Sequence, residues 1–163
     1  MPIAYLGLGA NLGDRAATLR AAVDALAAHL TIIALSSLYD TAPQLIEDQP
    51  RFLNAALAVA TDLDPLALLR AAKAIETTLG RLPGPRYGPR ALAIDLLLVD
   101  DLILDTPALT LPHPRLAERA FALIPLAQIA PTLRHPQLGY TIAELAGAVS
   151  GTGDVRRIGP LVQ

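Results

Sequence analysis

The sequence predicts an α+β fold on three observations: two apolar stripes at helical spacing, four short runs of strand character, and the order in which they alternate. That order is strand, helix, strand, strand, helix, strand, the ferredoxin-like pattern. Its expected form is an antiparallel sheet with two helices on one face. Pro2 to Gly9 reads as a short buried strand, and NLGD then offers cap residues for a helix. In that helix Leu19, Val23, Leu26 and Leu30 make one stripe. Thr31 to Tyr39 reads as the second strand, followed by a polar loop, TAPQLIEDQPR. In FLNAALAVA, alternation puts Leu53, Leu57 and Val59 on one face and Phe52 and Asn54 on the other. Asp64-Pro65 is a cap and first-turn pair for a helix whose stripe is Leu68, Ala72, Ile75 and Leu79, with Gly80 at its C-terminal stop. Ala93 to Val99 is the fourth strand. Beyond it, LPHPRLAERAF suggests a loop and a helical turn, and TIAELAGAV a short helix. The expectation is a single domain over residues 1–163, with a loose tail at 150–163.

Composition bounds the function. With 53% hydrophobic residues the chain can build a core. It has no cysteine, which leaves neither disulfides nor thiolate chemistry. The N-terminus lacks the pattern of a signal peptide, and no apolar run is long enough for a membrane span, so a cytoplasmic location is expected. A net charge of −2 argues against bulk nucleic-acid binding. The basic residues are unevenly placed, however: Arg81, Arg86, Arg90, Arg115 and Arg119 lie close together in the chain.

Several groups are candidates for chemistry. A guanidinium offers a planar fork of donors suited to phosphate oxygens. The proline and glycine of RYGPR set a turn that holds Arg86 and Arg90, and Arg81 stands just past a helix end. A solvated surface with weak ion pairs is the simpler alternative. Asp95, alone in an apolar strand, needs a partner: either an ion pair or a magnesium ion whose shell substrate phosphates complete. The position that would share its strand face two residues earlier is Ala93, which has no oxygen to offer. Phe52 and Phe121 are the only phenylalanines. Phe52 shares a strand face with Asn54, a pairing that suits a flat heterocycle or ordinary core packing. GLGANLG lacks the spacing of a dinucleotide fingerprint, and its glycines read as a tight turn. No nucleophile motif for acyl transfer is present.

RYGPRALAID, residues Arg86 to Asp95, resembles the R-[WY]-G-P-R-x-L-D-[IL]-D signature of the 6-hydroxymethyl-7,8-dihydropterin pyrophosphokinase family of folate biosynthesis. YLGLGANLGD, YDTAP, DQPRFLNAA, IETTLGR, LPHPRLAERAF and LIPLAQIAP agree with it in order. The resemblance implies a ferredoxin-like monomer that moves pyrophosphate from ATP to the pterin hydroxymethyl group, with magnesium (Mg2+), and releases AMP. It places the pterin between Phe52 and Phe121, with Asn54, Thr41 and Ala42 reading its edge. It gives Arg81 and Arg90 the transferred phosphates, and Asp95 the metal. Lys73, Arg86, Tyr87, Arg90, Leu96, Thr110, His113 and Arg119 would contact ATP. The loops TAPQLIEDQP and RLPGPRYGP would be lids. Two departures stand out. The family pattern has two aspartates where this chain has Ala93 and Asp95, and the loop that often carries extra basic residues here reads Leu82, Pro83, Gly84, Pro85. The first departure leaves a pterin- and nucleotide-binding relative with impaired catalysis as a second reading. An unrelated ferredoxin-like ligand-binding module is the third.

Overall fold

A computed structural model describes residues 1–43, 50–80 and 92–162. The elements are β1 (Ile3–Ala10), α1 (Arg15–Ala27), β2 (Thr31–Leu35), β3 (Ser37–Thr41), β4 (Phe52–Ala60), α2 (Pro65–Gly80) and β5 (Ala93–Val99). A small hairpin of β6 (Leu104–Asp105) and β7 (Thr110–Leu111) follows, then α3 (Ala120–Ile129), α4 (Ile142–Ala148) and β8 (Val155–Pro160). The main sheet runs β5-β1-β4-β3-β8, with β2 also paired to β4, and every pairing is antiparallel. This is the ferredoxin-like order with one added edge strand.

Local chemistry explains the starts of the helices. Asp14 caps α1 by accepting from Ala17 N at 3.1 Å, and Asp64 caps α2 by accepting from Ala67 N at 2.9 Å. The stripe Leu19, Val23, Leu26 and Leu30 is buried against the sheet. In α2, Leu68 and Ala72 are buried and Ile75 and Leu79 are partly so. Alternation along the strands supplies the other half of this core: Ala4, Leu6 and Leu8 from β1, Leu53, Leu57 and Val59 from β4, and Ile94 and Leu96 from β5. Each fully buried leucine contributes about 2 kcal/mol by removal of apolar surface from water.

The opposite face of the sheet is covered as well. Ala56 and Leu97 pack there against Leu116, Leu123, Leu126, Ile142 and Leu145, which come from α3, α4 and the turn before α3. Only a helical turn was expected before residue 120, yet α3 runs for ten residues with Pro125 inside it. Its sequence AFALIPLAQI is apolar all round, as suits a helix buried between sheet and α4. Gln128 anchors it to the sheet: its Oε1 accepts from Ser37 N at 2.9 Å and from the Tyr39 hydroxyl at 2.7 Å.

Two expectations are corrected. The strand expected over Thr31–Tyr39 is broken at Ser36, where the register against β4 shifts. The Ser36 hydroxyl accepts from Ala56 N at 2.8 Å, standing in for a ladder carbonyl at the break. The tail at 150–163 is not loose through its length. Residues Val155–Pro160 form β8, which pairs with β3 from Ser37↔Pro160 to Thr41↔Val155. Arg20 Nε secures the following turn by donating to Leu161 O at 2.9 Å.

Candidate active site

The face under α3 holds the candidate residues. Phe52 and Asn54 lie on the same side of β4 as Ala56, which belongs to the core under α3. Phe121 stands in the first turn of α3 and is half-buried against that core. Phe52 is also half-buried, so both rings keep an accessible surface. Asn54 is 6% exposed and donates from Nδ2 to the Thr41 hydroxyl at 2.6 Å, fixing which way its amide faces. Ala42 follows at the partly exposed end of β3.

Glycine shapes the floor between these strands. Gly9 pairs with Asn54 on one side and Ala93 on the other, and Gly7 pairs with Asp95. A Cβ at position 9 would lie 2.7 Å from Asn54 Oδ1. The expected tight turn is therefore corrected: Gly7 and Gly9 are mid-strand residues that leave the face open, and only Gly13, at φ +63°, needs the left-handed backbone. Gly9→Ala is expected to displace the Asn54 amide and weaken binding of a flat heterocycle about tenfold or more, the scale of losing a paired amide edge. Calorimetric titration checks this. Unchanged affinity would show that the amide does not read the ligand.

At the other end of the face sits a charged group. Arg119 Nη1 lies 3.8 Å from Asp95 Oδ2, while its guanidinium carbon stands 5.5 Å from the centre of the Phe121 ring. One side chain thus spans from the carboxylate to the Phe121 ring. His113 is held beside them: its backbone N donates to Leu97 O at 2.8 Å, and its Nδ1 accepts from Arg115 N at 3.1 Å. With Nδ1 an acceptor, the proton of the neutral ring sits on Nε2. Burial lowers the His113 pKa from 6.5, and the cations Arg119, Arg115 and Lys73 lower it further against the opposing pull of Asp95.

The sign of the pH effect follows. A histidine held below its unfolded value stays neutral in the fold, so its contribution to stability is present above pH 6.5 and is lost as pH falls. In an NMR titration of metal-free protein, His113 is expected to titrate below 6.5, and Arg119→Gln to move the midpoint upward. A midpoint that does not move would separate Arg119 from His113.

Lys73 on α2 donates to Glu76 Oε2 at 2.9 Å, and the same oxygen accepts from Ile94 N at 2.9 Å. Glu76, only 14% exposed, therefore ties α2 to the start of β5 next to Ala93. Sequence reading passed it over. Its spacing of three from Lys73 on a helix was the available signal. Arg115, noted only as part of the arginine cluster, turns out to contribute to the field at His113. Thr110 lies in β7, partly exposed. Leu96 is corrected: its side chain is buried in the core under α1 and α2, so only its backbone is left to touch a ligand. Arg81, Arg86, Tyr87 and Arg90 lie outside the described residues, as do Leu82 to Pro85 and most of both expected lid loops.

A ferredoxin-like domain in which one guanidinium stands between an aromatic ring and a strand carboxylate has the parts of a phosphoryl-type transferase. The sequence profile of the 7,8-dihydro-6-hydroxymethylpterin-pyrophosphokinase (HPPK) family matches residues 5–131, and the chain belongs to that family. It is 47% identical over 135 residues to the 2-amino-4-hydroxy-6-hydroxymethyldihydropteridine pyrophosphokinase of Methylorubrum extorquens, covering 82% of this chain and 85% of the relative. The Bacillus subtilis enzyme of the same name is 46% identical over 129 residues, covering 78% of this chain and 77% of that one. Among solved structures, Plasmodium falciparum HPPK-DHPS with pteroate superposes with a TM-score of 0.79 at 17% identity. That match takes in 96% of this chain and 48% of the Plasmodium chain, and it speaks to the fold alone.

Proposed function

We propose that the chain transfers pyrophosphate from ATP to the hydroxymethyl group of 6-hydroxymethyl-7,8-dihydropterin, releasing AMP. The observation that carries this reading is Arg119, which touches the Phe121 ring and faces Asp95. A group held between the Phe52 and Phe121 rings and phosphates held through a cation at Asp95 would meet at that guanidinium. Relatives named as pyrophosphokinases favour an active enzyme over a binding-only one.

The chain's own residues account for most of what the reaction needs. The rings of Phe52 and Phe121 hold the pterin, and the Asn54 amide, set by Thr41, reads its edge with Ala42 alongside. Arg119, Lys73 and neutral His113, donating from Nε2, face the triphosphate, with Thr110 at the rim. Arg86 and Tyr87 would complete the nucleotide site, while Arg81 and Arg90 would steady the transferred group. The pterin hydroxyl oxygen forms a bond to the β-phosphorus as the bond from that phosphorus to the oxygen bridging to the α-phosphorus breaks. AMP leaves with the bond's electron pair, and the hydroxyl proton goes to solvent. Positioning and neutralisation of charge do the chemical work.

Magnesium fits the site as a single ion. The Asp95 side chain is 36% exposed, and its 3.8 Å separation from Arg119 leaves its oxygens open to a cation. One carboxylate with substrate phosphates and water is an ordinary magnesium shell. Among the described residues no group of three or more His, Cys, Asp or Glu is gathered to hold a metal ion by side chains alone, so substrate phosphates would have to complete the shell. The ion, when bound, would neutralise phosphate charge.

We infer further that the whole chain is one such domain, a cytoplasmic monomer that acts on small molecules and not on nucleic acid; a net charge of −2 supports the last point. No helix among the described residues is long and apolar enough to cross a membrane. The deciding assay supplies ATP, magnesium and the hydroxymethyl dihydropterin and follows AMP. The expected result is AMP formed in step with pterin pyrophosphate. Tight pterin binding with no AMP above background would overturn the reading.

A further inference from the structure

Behind Phe52 and Asn54, on the face of the sheet turned toward α1, several elements converge on the entry to β4. Asp40 pairs with Leu53, whose side chain belongs to the core under α1. Arg51 Nε donates to Asp40 Oδ1. From α1, Arg15 Nη1 lies 3.8 Å from Asp40 Oδ2 and donates to Arg51 O at 2.8 Å. Arg51 Nη2 donates to Asp154 O, just before β8, at 3.2 Å. Asn11, after β1, donates from Nδ2 to Pro50 O at 3.3 Å. A cleft of about 370 Å³ opens among these groups.

Isolated ion pairs this exposed contribute little to stability. The cations and Asn11 are instead tied to backbone carbonyls in two separate segments, Pro50–Arg51 and Asp154, so their effect falls on geometry. Thr41↔Phe52 is the last rung between β3 and β4. Terminal rungs open most readily. The residues next in sequence to Asp40 and Arg51 are Thr41, which holds the Asn54 amide, and Phe52, which supplies one ring.

We propose that Arg15, Asp40 and Arg51 form a positioning cluster for heterocycle recognition. From the reverse face it clamps the last β3–β4 rung, so that Thr41, Phe52 and Asn54 meet the ligand in one geometry. The identity of the ligand rests on the pterin reading above; the clamp does not. Asp40 and Arg51 act through Thr41 and Phe52, their neighbours in sequence, and Arg15 acts through Asp40 and the Arg51 carbonyl.

The test uses Arg51→Met, Asp40→Asn and the double variant that combines them. Hydrogen exchange is followed in ligand-free protein, and dissociation constants are measured for hydroxymethyl dihydropterin and for magnesium–ATP. Each single variant is expected to speed exchange over Phe52–Asn54 with none at Leu57. The pterin dissociation constant should rise about tenfold and that of ATP should stay within about twofold, with kcat at saturating pterin retained. The double variant should weaken pterin binding little more than either single variant, since each alone already breaks the Asp40–Arg51 pair. Unchanged exchange at Phe52–Asn54, equal losses for both ligands, or losses that simply add in the double variant would each overturn the clamp. A native protein that binds no pterin would remove the ligand assignment, while the exchange result would still decide the clamp.

Discussion

Ala93→Asp is expected to raise kcat about 100-fold, close to 3 kcal/mol of transition-state stabilisation, the scale of one strong electrostatic group. Ala93 opens β5 two residues before Asp95, so both side chains leave the same face of the strand. Its partner across the ladder is Gly9, which has no side chain to obstruct a carboxylate. Two acids there would hold two magnesium ions where one now fits. Pterin affinity should stay within about twofold, because β1 separates β5 from the Asn54 strand. Steady-state AMP release against magnesium concentration, with calorimetric counting of bound ions, makes the measurement. An unchanged rate would show that the absent acid does not limit turnover.

Arg119→Met is expected to lower kcat/KM for both substrates about a thousandfold, the range seen when a guanidinium facing transferring phosphates is lost. The substitution keeps an apolar stem against Phe121 but removes the charge shared between ring and carboxylate. Stability should change little, about 0–1 kcal/mol, because the Asp95 pair is long and partly solvated. Arg119→Lys should restore only part of the rate, since an ammonium supplies charge without the planar fork. Initial rates with each substrate varied, beside a thermal melt, separate the two effects. A loss under tenfold at full stability would move Arg119 out of the chemistry.

Much of the scaffold was legible because its signals are local. The Leu19 to Leu30 stripe, the Asp14 and Asp64 caps and the alternation in FLNAALAVA each follow from spacing within one turn or one strand. What escaped depends on partners far away in the chain. VRRIGP carries two arginines, a glycine and a proline and reads as tail; it becomes a strand because β3 offers it an unpaired edge. AFALIPLAQI holds a proline, which argues against a helix, and tertiary burial overrides that preference. Among the candidate site residues, Phe52, Asn54, Asp95 and Arg119 were singled out through residue type and motif. Glu76 was missed because its role lies in a bond to Ile94 N across the fold, and Gly9 because its role is the space it leaves beside Asn54.

The pairing of β8 with β3 joins segments more than a hundred residues apart, and it has a cost during synthesis. Until Val155–Pro160 has left the ribosome, that edge of Ser37–Thr41 is unpaired and offers a template to any other nascent chain. Closure over so long a sequence separation is slow, so chaperone protection would matter most in that interval.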